Sequence, residues 1–435
     1  GNMKTYLSSQ MQTSSLCLDR NGTVFAGSFN RGLYRLDRES DSFVSVPYPA
    51  NPHLPVKTIY ANKNNDLFVG TEGYGMKVLR QGETELVDED FNVITFDFAK
   101  SKVHSIIEDQ TGNMWLGIFQ KGVLCLPAQT ENFNYIGYRS VKNNLIGSNC
   151  VMSLFQDREG TLWVGTDSDG LYAIYPNNNT SKHFAHSKLP GSSPATIMCI
   201  YEDSDKNLWL GSYLQGLAKL DRQTGRCEYI AESDDIQINK VYSLLEDDEK
   251  NLWIATMGGG LYHMNIRTKQ ITRYSASEGY VNAWINCLLK SKDNRLYIGT
   301  YDGLSIIDLK TKKRVSTHSS HLFERKTIYS LYEDEKGMIW LGTSSGLSSF
   351  NPKTNITVTY TTNDGLPNNV ICAIQGDNNG KMWVSTNYGI SHFTPEERSF
   401  TNYYVNDGLQ GSEFSKNSTL TGQDGSILFG GLNGI

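Results

Sequence analysis

The sequence predicts an all-β fold, a β-propeller of about ten four-stranded blades, on three observations. A Gly-Thr-like doublet recurs along the chain, with Gly27, Gly70, Gly117, Gly165, Gly211, Ala255, Gly299, Gly342, Ser385 and Gly430 at the corresponding place. The spacings are 43, 47, 48, 46, 44, 44, 43, 43 and 45 residues, and a period in the forties with four short strand-like runs per unit is the pattern of propeller blades. An aromatic stands two places before the doublet at Phe25, Phe68, Trp115, Trp163, Trp209, Trp253, Tyr297, Trp340 and Trp383. No helix-period segment of useful length interrupts the pattern.

Each element of one unit has its own reason. The first strand is an apolar run such as Val241-Tyr-Ser-Leu-Leu. Within it, twelve residues before the doublet, stands a small side chain: Ser15, Thr58, Ser105, Ser153, Cys199, Ser243, Cys287 or Ser330, with Cys372 joining after one extra residue. Cysteine serves there as a small hydrophobe. An acidic turn follows, as in Glu202-Asp-Ser-Asp-Lys-Asn. It reads as a solvated hairpin turn, because Asp bonds backbone two residues on and Gly tolerates positive φ. Calcium ligation by Asp203 and Asp205 is the weaker reading.

The second strand carries the aromatic, and six of the seven tryptophans in the chain occupy that position. Such a position is a packing site between blades, where each ring buries about 150–250 Å², a gross gain of about 4–6 kcal/mol. The glycine after it permits close approach of the neighbouring backbone. A short loop then leads to Gly-Leu and the third strand, as in Gly170-Leu-Tyr-Ala-Ile-Tyr. A polar turn such as Asp221-Arg-Gln-Thr-Gly225 gives the outer fourth strand.

Bulk composition narrows the function classes. A formal charge of −6 over 435 residues leaves no basic footprint, so nucleic acid is not an expected partner. No run of about 18 apolar residues is present to span a membrane. Seven cysteines without paired spacing argue against a disulfide framework or a zinc site. Gly1 reads as a scar of expression, so the compartment is not read from the N-terminus.

Two segments are more specific than the period. Asn363-Asp-Gly-Leu-Pro-Asn-Asn-Val370, leading to Lys381-Met-Trp-Val-Ser-Thr, resembles the two-component-regulator propeller repeat. Asn406-Asp-Gly-Leu-Gln-Gly-Ser-Glu-Phe414 and Phe429-Gly-Gly-Leu-Asn-Gly-Ile435 resemble the closing blade of the same sensors. The chain is similar to the periplasmic sensor region of Bacteroidetes hybrid two-component histidine kinases. The resemblance implies an oligosaccharide ligand and a receptor that works as a homodimer. It also implies an immunoglobulin-like domain, a membrane helix and a kinase downstream of this segment. Such ectodomains carry fourteen repeats in two seven-bladed rings, and ten are found here, so the chain reads as a piece of a longer protein.

Three arrangements fit ten repeats. The preferred one places three repeats in residues 1–140, left from a preceding propeller, and seven in residues 141–435 as one ring with a truncated last blade. One large ring, its last blade completed by Met3-Lys-Thr-Tyr-Leu, is the second, and two five-bladed rings are the third.

With strands fixed by packing, the loops joining strands two and three are the recognition candidates. They lie on the edge where the chain enters strand one, opposite the acidic turns. Asp167, Asp169, Tyr213, Gln215, Tyr301, Asp302, Asn387 and Tyr388 stand in them. Trp284, the tryptophan outside the packing position, stands in the loop entering a first strand, where it serves either as a stacking platform or as a plug packed on Tyr280. Aromatic faces beside carboxylates and amides suit a sugar, whose C–H face stacks while its hydroxyls need donors and acceptors.

A catalytic reading needs a convergent set of acids, bases or ligands. The eight histidines fall at unrelated repeat positions, and His183 with His186 reads as a surface pair rather than a metal site. Asp167, Asp169 and Asp302 would have to supply a glycosidase pair. No nucleophile elbow, phosphate loop or zinc motif is present. The expectation is a sensory binding domain without catalysis, cofactor or metal. An interaction scaffold and a carbohydrate-active lyase or glycosidase are the alternatives.

Overall fold

The computed structural model describes the chain apart from residues 1–3, 7–10, 90, 92, 94–95, 129–132, 141–142, 148–149, 231–236, 275–281, 316–322 and 378. The described residues are all-β, and their sheets are small antiparallel meanders in strict chain order, one for each repeat. Ten inner strands begin the ten blades: Thr13–Leu18, Val56–Ala61, Val103–Glu108, Val151–Gln156, Ile197–Glu202, Val241–Glu246, Ile285–Lys290, Ile328–Glu333, Ile371–Gly376 and Phe414–Thr421. They are called blades 1 to 10 below. Among the described residues eight blades have four strands, blade 3 has three and blade 10 has two.

The chain divides into two compact units, one of residues 1–134 with 139–144, the other of 135–138 with 145–435. In the first unit blade 1 packs on blade 2 and blade 2 on blade 3 through their inner strands. In the second, each inner strand from blade 4 onward packs on the next, and that of blade 10 packs back on blade 4. The second unit is therefore a closed seven-bladed ring. Blade 10 is tied to blade 4 by Gln423, whose backbone N–H donates to Gln156 Oε1 at 2.7 Å and whose Nε2 donates to the Asp157 carbonyl at 3.0 Å.

The outer edge of blade 10 is met by Ile136, which exchanges two backbone hydrogen bonds of 2.9 Å with Ile435. Tyr135, only 2% exposed, donates from its hydroxyl to the Asn433 carbonyl at 2.6 Å. Closure by the Met3–Leu7 run is thus corrected. Lys4 and Tyr6 of that run instead bond Asp41 of blade 1, and Met3 and Leu7 lie outside the described residues.

The repeat positions explain the packing. Trp209, Trp253 and Tyr297 are fully buried, with Trp163 and Trp340 nearly so. The glycine two places on admits the next blade. A Cβ at Gly165 would lie 2.8 Å from the Ile197 carbonyl, and one at Gly430 would lie 2.6 Å from Val151 Cγ1. The small first-strand residue faces that glycine, as Ser153 faces Gly165 and Cys199 faces Gly211. In blade 9 the residue opposite Ser385 is Ala373, not Cys372. Cys372 occupies a β-bulge instead, because each first strand carries an unpaired residue at its start.

The acidic turn differs from its reading as a solvated hairpin. Its first aspartate is buried at Asp157, Asp203 and Asp247. That carboxylate accepts the turn's own amides on one oxygen, as Asp157 Oδ1 does from Glu159 and Thr161 at 3.0 and 2.9 Å. Its other oxygen accepts the indole Nε1–H six residues on. This bond is 2.8 Å for Trp115, 2.7 Å for Trp163, 2.8 Å for Trp209, 3.1 Å for Trp253 and 2.9 Å for Trp340. The turn and the interblade aromatic are therefore one device, a charge-assisted bond that fixes the ring's orientation as it buries it. With Asp203 committed to Trp209 and Asn207, and Asp205 to Lys250, the calcium reading of this turn fails.

Candidate functional site

On the ring's loop edge, the loop between strands two and three of blades 4, 5, 6, 7 and 9 bonds the entry to the next blade. The Leu214 N–H donates to Asn239 O at 2.7 Å, Gly258 N–H to Ala283 O at 2.8 Å, and Gly389 N–H to Ser412 O at 2.8 Å. Single β-bridges join Tyr213 to Lys240 and Met257 to Trp284. Backbone polarity is consumed in this belt, which leaves side chains free to project from a rigid support.

The candidate residues fall into two groups. Tyr213, Trp284, Tyr301 and Tyr388 are between 40% and 54% exposed. Trp284 and Tyr301 meet edge to face at 5.9 Å, while Tyr388 rests against Tyr404 at 5.5 Å. Tyr280, offered by the sequence as a packing partner of Trp284, lies outside the described residues.

The polar candidates are engaged within the fold. Asp169 Oδ2 accepts the Tyr172 hydroxyl at 2.6 Å, and Gln215 Oε1 accepts the Ala195 amide at 2.6 Å. Asp302 Oδ1 accepts the Arg325 amide at 2.7 Å, and Asn387 Oδ1 accepts the Cys372 thiol at 3.2 Å. Asp167 holds the Thr196 and Ser168 hydroxyls at 2.9 and 3.2 Å.

The β-bulge supplies residues that the sequence pattern conceals. Tyr242 of blade 6 is half-buried, and burial, then the neighbouring Tyr213 and Tyr301, push its phenol up to about 12. It therefore stays a neutral hydroxyl at physiological pH and joins rings from the loops of blades 5 and 7. Tyr329 of blade 8 stands at the same register position. Lys416 of blade 10 reaches it, with Nζ 4.0 Å from the ring centroid. Lys240 Nζ sits 5.5 Å over Tyr213. A count back from the doublet skips the bulge residue, although an aromatic directly after the strand's first residue, as in Val241-Tyr242 and Ile328-Tyr329, was a visible signal.

Among the described residues no group of three or more His, Cys, Asp or Glu is placed to hold a metal ion. His183 Nε2 bonds the Asp169 carbonyl at 2.7 Å and His186 Nδ1 the Ser193 carbonyl at 2.9 Å, so the two do not share a site. Contrary to the sequence reading, two histidines do share a repeat position. His263 and His392 pair opposite Trp253 and Trp383 and bond Asp247 and Asp377 at 2.8 and 3.3 Å. They buttress the acidic turns. All seven cysteines are free, and burial pushes the Cys287 thiol up to about 12.

The closed ring and its repeats define a propeller-repeat protein, and comparison places it more narrowly. The model of the family described as "Two component regulator propeller" matches the chain at residues 145–168, 191–214, 235–258, 323–345 and 365–388. No curated protein matches the sequence. Among solved structures it is similar to the extracellular domain assigned to a hybrid two component system of B. thetaiotaomicron, with 25% identity and a TM-score of 0.76, covering 97% of this chain and 55% of that one. A second such extracellular domain from the same organism shares the fold at 21% identity and a TM-score of 0.60, covering 99% of this chain and 58% of that one. The chain thus spans little more than half the length of these relatives. Virginiamycin B lyase from Staphylococcus aureus, at 12% identity and a TM-score of 0.50, covers 66% of this chain and 96% of its own, and shows a shared fold alone. Among the described residues no helix is long and apolar enough to cross a membrane.

Proposed function

We propose that this chain is the periplasmic sensor region of a hybrid two-component regulator and that its seven-bladed ring binds an oligosaccharide on the loop edge. The observation that carries the reading is the set of exposed rings, Tyr213, Trp284, Tyr301 and Tyr388, held on a belt of loop-to-loop hydrogen bonds. Similarity to extracellular domains of hybrid two-component systems supports the sensor role. The ring binds without turnover, and the ligand biases packing between two receptor chains, which sets the activity of a downstream histidine kinase.

The test is the thermal unfolding midpoint across defined neutral and acidic oligosaccharides. A ligand at about 100 times its Kd adds about 2.7 kcal/mol to the folded state. One clear hit without product release is the expected result. Replacing Trp284 and Tyr301 together by alanine should weaken that hit about tenfold or more, at about 0.5–1.5 kcal/mol per lost stacking contact. Full affinity in the double variant would remove the site from these residues, and a hit that fades as the sugar is consumed would make the protein an enzyme.

A further inference from the structure

The ring's two edges treat their charges differently. On the acidic-turn edge, Arg222, Lys250, Lys290, Lys312 and Lys336 each lie within 4.0 Å of a carboxylate. On the loop edge, Lys240, Arg325, Lys326 and Lys416 have no carboxylate partner within that distance among the described residues. Several described carboxylates of this edge are engaged within the fold. Asp167 and Asp169 hold hydroxyls, and Asp302 holds the Arg325 amide. Asp364 and Asp407 cap the short helical turns that enter blades 9 and 10. Glu413 is exposed but lies beyond ion-pair distance of Lys416.

Lys416 is placed there by a departure from the repeat. In blades 4 to 9 the first strand advances two residues while its partner advances one. In blade 10 it advances five, from Phe414 to Thr419, against two, from Gly431 to Phe429. The enlarged bulge exposes Lys416 and Asn417 and holds Asn417 at φ 57, a left-handed conformation that costs a non-glycine residue strain. It carries the ammonium past blade 9 onto the Tyr329 ring of blade 8.

We infer that the loop edge recognises an anionic sugar, an oligosaccharide bearing a carboxylate, with Lys416 and Lys240 meeting the acid group while Tyr213, Trp284 and Tyr301 stack on the sugar's C–H faces. The inference rests on the proposed sensor reading and names the ligand class of that same site. Each ammonium sits over an aromatic ring, at 4.0 Å for Lys416 and 5.5 Å for Lys240. A ring orients a cation without neutralising it, so the charge remains available to a ligand.

The experiment titrates the protein calorimetrically with trigalacturonic acid and a glucuronate-containing hyaluronan tetrasaccharide, beside neutral maltotriose and xylotriose and a sulfated galactose disaccharide. Titrations run at about 50 and 300 mM salt, where the screening length falls from about 14 to 6 Å. The expected result is that a uronate oligomer binds tightest and weakens with salt. Lys416→Gln and Lys240→Gln should each cost about tenfold, while Lys416→Arg, which keeps the charge, retains most of the affinity. Thermal unfolding of each variant without sugar controls for its fold. A neutral or sulfated sugar as the tightest binder would overturn the carboxylate assignment and leave the sensor reading standing. So would uronate binding indifferent to both lysines. If neither the acidic nor the neutral sugars bind, the sensor reading falls and this inference falls with it.

Discussion

Replacing Trp253 by alanine is expected to destabilise the seven-bladed ring by about 3–5 kcal/mol, the range for deleting a large buried aromatic. Trp253 is fully buried between blades 6 and 7, packed with Ile285, Leu296, Ile298 and Ile307. Its other face meets His263 at 4.4 Å and Tyr274 at 5.1 Å. Both neighbouring sheets are pinned through the cyclic packing of their inner strands, so neither collapses freely into the void, and the cost lies toward the upper end. Trp115 supplies the contrast. It holds the same repeat position and makes the same indole bond to its aspartate, at 2.8 Å, yet it is 39% exposed. Trp115→Ala is therefore expected to cost about 1 kcal/mol, within the ordinary range for a half-exposed substitution. Urea unfolding of the two variants, each read on the transition of its own unit, separates burial from the hydrogen bond. Equal losses would mean that the indole–carboxylate bond, rather than the ring's burial, sets the energy of this position.

The blade was legible because its determinants are local and repeated. A doublet, an aromatic two places before it and a small residue twelve before it are periodic, and every blade must satisfy the same neighbour contact. What the sequence concealed was non-periodic or reciprocal. Tyr135 and Ile136, which meet the outer edge of blade 10, belong to no recognisable repeat, and their partners Asn433 and Ile435 stand about three hundred residues away. Asp157 and Asp203 looked solvated because aspartate is the ordinary residue of a hairpin turn. Only the fold shows the indole folding back onto the turn and covering it. The candidate site was legible in its aromatics, which stand out where neighbouring blades carry small or polar residues. It was illegible in Tyr242, Tyr329 and Lys416, because a β-bulge adds residues without altering the apolar pattern around it. Asp169 and Gln215 stand in the same candidate loops but turn inward, a choice of rotamer that no spacing encodes.

Asp247 concentrates the turn's chemistry, and its loss is expected to be the second largest effect. Its side chain is 3% exposed, and the carboxylate accepts from the Glu249 and Asn251 amides at 3.1 and 3.0 Å. It also accepts from Trp253 Nε1 at 3.1 Å, His263 Nε2 at 2.8 Å and Lys312 Nζ at 3.0 Å. Burial alone would raise its pKa. The His263 bond, the Asn251 amide and the Lys312 ammonium outweigh burial and hold the carboxyl well below the usual carboxylate range. A depressed folded pKa stabilises the protein above the unfolded value, near 4, and that stabilisation is lost as pH falls through the folded value. Asp247→Asn keeps the shape but removes the charge, turns one acceptor into a donor facing Lys312 and leaves that ammonium without its buried partner. The expected cost is about 2–4 kcal/mol at pH 7. The difference should narrow as the pH is lowered below about 4, because the carboxyl then takes up a proton in the parent's unfolded state while the folded one is still ionised, and this lowers the parent's stability alone. Urea midpoints of the two proteins at pH 7 and pH 3 test the sign. A gap that stays constant across that interval would assign the effect to shape rather than charge. A narrowing gap would establish that the acidic turn, so ordinary in sequence, is an ionised element of the ring's core.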